Sequence, residues 1–161
     1  MIMAEAVDMV KAMQVFNTIC AWLDSVGWKY EKHEDELFIR TGVTGDDLPM
    51  DMLLFVETKS EIVQLISRLP FTMPEEKRFD GAVAVCVANY GLKDGSFDYD
   101  LNDGEIRFRL TTSYRASVLG EELFAYMVGV SAGTIDRYND KFFMLAKGMI
   151  SIEQFIEQDQ Q

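Results

Sequence analysis

Apolar residues recur at steps of three and four near the start of the chain, at Met9, Met13, Phe16, Cys20 and Leu23. This spacing predicts an amphipathic helix over about residues 5–26, closed by Gly27 as a left-handed cap. The period then changes to two, which is typical of half-buried strands. The strands predicted from it cover residues 28–31, 37–41 and 50–57, with a turn at 33–35 and a loop at 42–47.

Two interpretations are open for residues 61–68, because Ile62, Leu65 and Ile66 suit a helix while β-branched side chains suit a strand. After this segment, Thr72, Pro74 and Glu75 match a capping box and predict a helix that runs to about Tyr90 and ends at Gly91. Residues 82–88 are apolar around the whole helix. Such a helix needs cover on more than one side, by the sheet and by a further element, for which a second subunit is one candidate.

A β-hairpin is predicted over residues 96–112, with Asp103-Gly104 as a two-residue turn. In that register the apolar pairs are Leu101 with Ile106, Tyr99 with Phe108 and Phe97 with Leu110. The opposite face pairs Asp100 with Arg107 and Asp98 with Arg109. A slip of one residue would turn the charges into the core, so the pattern specifies the two faces of the hairpin.

The helical period returns from Glu121 to about Lys147. Gly129 and Gly133 interrupt it, and a bend or close packing is expected there because glycine lowers helix stability. Residues 151–154, Ser-Ile-Glu-Gln, form a second capping box. It starts a short terminal helix with Phe155 facing inward.

The net charge of the chain limits the classes of partner that it can bind. It has 15 Lys and Arg and 27 Asp and Glu, which leave a net charge of −12. Nucleic acid and anionic membranes are therefore not expected partners.

The length of 161 residues predicts one domain over 1–161, with 151–161 as a short helix and tail. The first residues lack the pattern of a signal peptide, no apolar run could span a bilayer, and two cysteines do not make a disulfide framework. These features predict a soluble, cytoplasmic protein.

The candidate chemical sites all have simpler explanations. Residues 129–133 match the G-x-S-x-G pattern of serine hydrolases, but they lie in a predicted helix and His33, the single histidine, precedes them. Acids at 98–104 hint at a calcium loop, but Asp103 and Arg109 stand where glycine and glutamate are required. Cys20 and Cys86 are interpreted as buried, inert thiols in apolar stripes. We predict no enzyme, cofactor or metal site.

Five short segments stand out: residues 69–78 (LPFTMPEEKR), 89–92 (NYGL), 95–98 (GSFD), 102–105 (NDGE) and 136–138 (DRY). They resemble the YbjN family, bacterial proteins described as sensory-transduction regulators, and the likeness extends from Trp28 to the helix at Ser151. The resemblance implies an α+β fold with an antiparallel sheet, in the order α-β-β-β-α-β-β-α, similar to type III secretion chaperones. It assigns residues 61–68 to a strand and implies no catalytic residues.

The reverse face of the first three strands carries Phe38, Leu53 and Phe55 among charged residues. A water-facing antiparallel face is expected to be polar, so either the chain's own helices cover this face or it is a partner site rimmed by charge. These residues are our candidates for partner binding. The predicted function is a non-enzymatic protein-binding module, chaperone-like or regulatory, acting as a homodimer on a further protein. The alternative is a small-ligand sensor with a cavity between the sheet and the long C-terminal helix.

Overall fold

A computed structural model describes the backbone of residues 2–46 and 48–160, and the side chains from residue 9 onward within those ranges. Asp47, in the predicted loop, lies outside the described residues. The helices are α1 (Ile2–Ser25), α2 (Arg78–Tyr90, preceded by a 3-10 turn at Glu75–Lys77), α3 (Glu121–Ala146) and α4 (Ile152–Asp159). The strands are β1 (Tyr30–His33), β2 (Phe38–Thr44), β3 (Pro49–Glu57), β4 (Ile62–Thr72), β5 (Ser96–Tyr99) and β6 (Glu105–Ser113).

The six strands form one antiparallel sheet in the order β1-β2-β3-β4-β6-β5. The predicted α+β class is confirmed, and the segment 61–68, for which the helix and strand interpretations were open, belongs from Ile62 onward to strand β4. β4 lies inside the sheet, paired with β3 on one side and β6 on the other. From Ile62 to Leu69 its side chains alternate between buried positions and more exposed ones.

All the large helices pack on one face of the sheet. α1 contacts β3, α3 contacts β4 and β6, and α2 contacts β5. The sheet residues beneath them alternate with residues of the opposite face and are fully or almost fully buried, among them Ile39, Met52, Leu54, Leu65 and Phe108. Burial of this apolar surface is the main stabilising term of the fold.

Glycine and serine end or start the helices where the sequence predicts it. Gly27 has a φ of +70° after α1, and the Trp28 N–H donates to the Leu23 carbonyl at 3.0 Å, as in a Schellman motif. The predicted capping box of α4 is present, with Ser151 Oγ accepting from the Gln154 N–H and the Gln154 side chain accepting from the Ser151 N–H. Phe155 is fully buried, as expected from its inward position.

The register predicted for the β5–β6 hairpin is wrong by two residues. Phe97 lies opposite Phe108, where the prediction placed Tyr99. The connection is a four-residue loop, residues 101–104, in place of a two-residue turn. The Asp100 N–H donates to the Glu105 carbonyl at 3.0 Å, which closes the loop. Because the shift is an even number, each side chain keeps its predicted face.

Side chains in the loop explain the longer connection. Asp100 Oδ1 accepts from the Asn102 N–H at 2.8 Å, and Asp103 Oδ1 accepts from the Glu105 N–H at 2.8 Å. Such local bonds favour a turn over continued strand pairing. Asp100, predicted to pair with Arg107, therefore lies in the loop, and Leu101, predicted to face Ile106, is exposed.

Two further predictions are corrected near the helices. Thr72 does not cap α2, because β4 continues through it and pairs it with Glu105, so the helical turns begin only after Pro74. Gly129 and Gly133 do not mark close packing, since a Cβ at either position would meet nothing within 4 Å. They lie on the exposed side of α3.

Candidate protein-binding face

The predicted candidates Phe38, Leu53 and Phe55 lie together on the sheet face opposite the helices, which we call the open face. Phe38 is opposite Phe55 across the β2–β3 ladder, and Leu53 is opposite Ile66 across the β3–β4 ladder. None of the described strand side chains that point to this face is buried. Of the two alternatives for these residues, cover by the chain's own helices or an apolar patch rimmed by charge, the geometry matches the second.

Phe38, Leu53, Phe55 and Ile66 form a contiguous group that we call the apolar strip. The rings of Phe38 and Phe55 are 5.5 Å apart between centroids, and His33 of the edge strand stacks on Phe38 at 4.1 Å. Each of the four side chains is half-buried. Beside the strip, a cavity of about 340 Å³ is lined by Glu36, Phe55, Val56, Glu57, Gln64 and Ile66. The strip therefore offers apolar surface with a depression next to it.

Charged side chains frame one end of the apolar strip. Arg40 binds Asp51 with two guanidinium nitrogens, at 2.9 Å and 2.8 Å. On the neighbouring strands, Arg68, Arg107 and Arg109 form a group that we call the arginine cluster. Its acidic partners are Asp98 and Glu105: Arg109 Nε lies 2.9 Å and Arg107 Nε 3.2 Å from Asp98 Oδ2, and Arg68 Nε lies 3.2 Å from Glu105.

The electrostatics of Asp98 reflect this crowding. Burial raises the pKa of its carboxyl group, but the hydrogen bonds and charges of Arg109 and Arg107 lower that pKa more strongly, so it lies below the ordinary value. The predicted contact between Asp98 and Arg109 is present despite the shifted register, because Arg109 reaches Asp98 diagonally across the ladder.

Helix α2 carries a second exposed apolar surface. Phe79, Val83, Cys86 and Tyr90, which we call the α2 stripe, are all exposed, with Phe79 at 83% and Tyr90 at 96% of full exposure. The sheet and α4 cover the rest of the helix. The prediction that both cysteines are buried is wrong for Cys86, because a helix that is apolar all round gives no sign of which side faces the core.

The other candidate chemical groups lie in different elements of the fold. Ser131 is fully buried inside α3, whereas His33 lies on the edge strand β1. Cys20 is buried, and burial raises the pKa of its thiol. The described side chains contain no group of three or more His, Cys, Asp or Glu placed to hold a metal ion. In the described part of the chain, no helix combines the length and apolar character that crossing a membrane requires.

The space between the sheet and α3, where a small ligand was considered, is filled by side chains. Leu65 and Phe108 from the sheet, together with Phe124 and Phe142 from the helix, are all fully buried there. Phe97 packs edge-on against both Phe108 and Phe142, with centroid distances of 5.2 Å. A ligand cavity at this place would require several aromatic side chains to move.

Sequence reasoning did not include Ile66 or the arginine cluster among the site residues. Ile66 was missed because the structure of residues 61–68 was undecided from the sequence. Only a strand that pairs with β3 brings Ile66 beside Leu53. The arginines were interpreted as partners of acids within one hairpin, and their meeting with Arg68 depends on the pairing of β4 with β6.

Comparison with known proteins places this geometry in a family. The profile of the YbjN family, described as "Putative bacterial sensory transduction regulator", matches residues 16–144. No curated protein matches the chain significantly.

Three solved structures have a similar fold. The crystal structure of YbjN from E. coli, called there "a putative transcription regulator", has a TM-score of 0.59 at 15% identity and covers 78% of this chain and 92% of that one. The HopA1-SchA chaperone–effector complex gives 0.55 at 12% identity, with 81% and 97% covered. The ExsC-ExsE complex gives 0.57 at 12%, with 78% and 91% covered. At these identities the structures show a shared fold, and the match of the family profile over most of the sequence shows that the chain belongs to the YbjN family.

Proposed function

We propose that this chain is a non-enzymatic protein-binding module, chaperone-like or regulatory, that acts as a homodimer in the cytoplasm and folds as one domain over residues 1–161. The observation that carries the proposal is the apolar strip on the open face. Phe38, Leu53, Phe55 and Ile66 are contiguous and half-buried, and charged residues frame them. Apolar patches rimmed by polar residues are typical of sites for other proteins.

The energetics favour a partner on this face. Fully burying a phenylalanine side chain contributes about 1.5–3 kcal/mol, so covering the part of Phe38 and Phe55 that is still exposed contributes at most about 1 kcal/mol each. Their rings already pack against each other in a tilted pair, which lowers the entropy lost on binding. Two of the structures with a similar fold are protein complexes, one of them a chaperone with its effector, which supports the same class of function.

The α2 stripe supports the homodimer. At 100° per residue, Phe79, Val83, Cys86 and Tyr90 lie within about 60° of arc, so they form one face of the helix. Their spacing of four, three and four residues is the same in both chain directions. Two antiparallel copies of α2 therefore bring Phe79 against Tyr90 of the partner subunit and Val83 against the partner subunit's Cys86. A self-complementary surface of this kind is what a twofold interface requires.

The charges beyond the stripe match the same arrangement. Glu76 lies three residues before Phe79 and Lys93 three residues after Tyr90, and both are exposed. In the antiparallel pair, Glu76 and the partner subunit's Lys93, both outside α2 itself, lie beyond the same end of the interface, where opposite charges attract. The stripe itself carries no charge, so no like charges face each other across the twofold axis.

The double variant Phe38→Ser, Phe55→Ser tests the partner-binding function. Tagged wild-type protein and variant are used for affinity capture from cells followed by mass spectrometry, with the melting temperature as a check of folding. The matched control is Leu101→Ser, Met149→Ser, which removes two exposed apolar side chains away from the open face. We expect proteins that the wild type and the control retain and the open-face variant loses.

Equal capture by all three proteins would contradict the proposal. Unfolding of the open-face variant would also contradict it, since Phe38 and Phe55 would then be needed for the core. The dimer is tested separately by sedimentation equilibrium at micromolar concentration. A mass of 18.4 kDa, that of a single chain, would contradict it.

A further inference from the structure

We infer that the open face binds an amphipathic protein segment with acidic side chains beside its apolar ones, the acids contacting the arginine cluster and the apolar residues contacting the apolar strip. This inference rests on the proposed function, in which the open face is the partner site. It adds the chemistry of the partner, which the apolar strip alone does not specify.

The first observation is the pairing of two arginines. Arg68 of β4 and Arg107 of β6 are directly opposite each other on the open face. Like charges directly opposite in an antiparallel pair destabilise a sheet, so this arrangement has a cost in the free chain. A carboxylate bound between the two guanidinium groups would reduce that cost.

The second observation is the local balance of charge. The arginine cluster has three guanidinium groups and two salt-bridged carboxylates, those of Asp98 and Glu105, and the carboxylate of Asp100 lines the same depression as Arg107. The whole chain, by contrast, has a net charge of −12. The surroundings of the cluster are thus close to neutral on an acidic protein, so an acidic segment meets less repulsion there than the net charge implies. Such a segment must contact the arginines directly, because at longer range the net charge of the chain is repulsive.

The third observation is that the guanidinium groups are accessible. The side chains of Arg68, Arg107 and Arg109 retain 60%, 37% and 40% of their full exposure. A depression of about 240 Å³ lies beside Arg107, and its lining is Asp98, Tyr99, Asp100, Glu105 and Arg107. Arginine has donors left after one salt bridge, so an additional carboxylate can be bound in the plane of the guanidinium group.

The positions of the two groups fix the layout of the segment. Ile66 of the apolar strip is opposite Arg109 of the cluster on neighbouring strands. Opposite positions in a sheet are separated by about 5 Å, so an acidic side chain and an apolar side chain of the same short segment reach both groups. The segment therefore places acids on one side of an apolar stripe.

The test is a selection from a display library of random peptides of about 16 residues, which as a helix would be about 24 Å long. Peptides are selected on the wild-type protein, and those whose binding is lost on Phe38→Ser, Phe55→Ser are sequenced. Their dissociation constants are then measured by fluorescence anisotropy on the wild type and on Arg68→Gln, Arg107→Gln. In that variant Asp98 keeps its two contacts with Arg109.

We expect these peptides to be enriched in Asp and Glu next to apolar residues. Their binding should weaken at least about tenfold on Arg68→Gln, Arg107→Gln, as for the loss of one charged hydrogen bond. The control Arg137→Gln, Lys147→Gln removes the same charge from exposed positions of α3 and its end, and should leave binding within about twofold.

The two ways of failing are distinct. Peptides that require Phe38 and Phe55 but show no acidic enrichment, or that bind the arginine variant as tightly as the wild type, would overturn the inference and leave the proposed function intact. If every selected peptide binds Phe38→Ser, Phe55→Ser as well as the wild type, the open face is not a peptide-binding site, and both statements fail.

Discussion

The side-chain amide of Asn89 in α2 is bound to both backbone groups of Phe97 in the edge strand β5. Asn89 Nδ2 donates to the Phe97 carbonyl at 2.9 Å, and the Phe97 N–H donates to Asn89 Oδ1 at 2.7 Å. The amide thus takes the place that a further strand would have beside β5. It blocks a sheet edge that would otherwise be open to pairing with another chain.

Replacing Asn89 by Ala should therefore destabilise the protein and loosen the edge. Both Phe97 groups lose their partner in a half-buried place, which costs about 1–3 kcal/mol. Urea denaturation measures this loss, and hydrogen exchange at the Phe97 amide should accelerate. Asn89→Asp, which keeps the acceptor but not the donor, should lie between the wild type and Asn89→Ala. Unchanged protection of the Phe97 amide in Asn89→Ala would contradict the edge-blocking role.

Replacing either of two glycines in α3 by alanine should stabilise the protein, in contrast to Asn89→Ala. Gly129 and Gly133 are exposed within the helix, and a Cβ at either position would meet nothing within 4 Å. Gly129→Ala and Gly133→Ala should each stabilise the protein by about 0.5–1 kcal/mol, because alanine has the higher helix propensity. The increase in melting temperature, about 2–4 °C per kcal/mol for a chain of this size, measures it.

Gly104 is the matched control for this prediction. Its φ is +77°, and a Cβ there would overlap the carbonyl of Met73. Gly104→Ala should lower the melting temperature while the α3 variants raise it. A fall in Gly129→Ala or Gly133→Ala would show that these glycines have a packing partner, as the sequence led us to expect.

The faces of the strands could be predicted from the sequence, but the register of the β5–β6 hairpin and the neighbours of β4 could not. Alternation has a period of two, so registers that differ by two residues give the same faces, and the turn side chains decide between them. Asp100 and Asp103 make those turn bonds through local geometry that composition does not specify. For the same reason the alternation placed Phe38, Leu53 and Phe55 on one face, while Ile66 and Arg68 joined them only through the pairing of β4.

The sequence patterns also did not indicate which face of the sheet, or which side of α2, the rest of the protein covers. The alternation in β2 and β3 marked a doubly apolar segment, but which face the helices occupy depends on how α1 and α3 pack on the sheet. In α2 the run of apolar residues had no polar side, so its periodicity did not indicate that Val83 and Cys86 are exposed while Ala84 and Val85 are buried.

The contacts of Asp98 predict how stability depends on pH. Its pKa in the folded protein lies below the ordinary value of 3.8, since the two arginines outweigh the effect of burial. A lowered pKa contributes stability above the unfolded value, and this contribution is lost as the pH falls through the folded value. The free energy of unfolding from urea titrations should therefore decrease as the pH falls below about 4, and Asp98→Asn should show a smaller decrease.

The test is the difference in the free energy of unfolding between the wild type and Asp98→Asn as a function of pH. At neutral pH the wild type should be more stable than Asp98→Asn, and the difference should shrink as the wild-type carboxyl is protonated. Glu61 adds to the same slope in both proteins, because its hydrogen bond with Lys11 and the charges of Lys11 and Arg115 lower its pKa despite partial burial. A difference that stays constant from neutral pH to pH 2 would contradict the role assigned to Asp98.

The antiparallel arrangement of α2 in the proposed homodimer predicts a specific disulfide. One variant carries Val83→Cys with Cys20→Ser and Cys86→Ser, and the other carries Cys20→Ser and keeps Cys86. Mixed and mildly oxidised, they should form a heterodimer linked between residue 83 and the partner subunit's Cys86. These positions face each other in the register set by the spacing of the α2 stripe, within the distance that a disulfide requires.

Each variant alone should cross-link much less. In the antiparallel pair, residue 83 and its own copy in the partner subunit are offset by three residues along the helices, about 4.5 Å. Added to the distance between the helices, this exceeds the reach of a disulfide without movement of the backbone. The matched control replaces Val83→Cys by Leu101→Cys, an exposed residue of the β5–β6 loop. Non-reducing gels report the products, and cross-linking of each variant alone as readily as of the mixture would contradict this register.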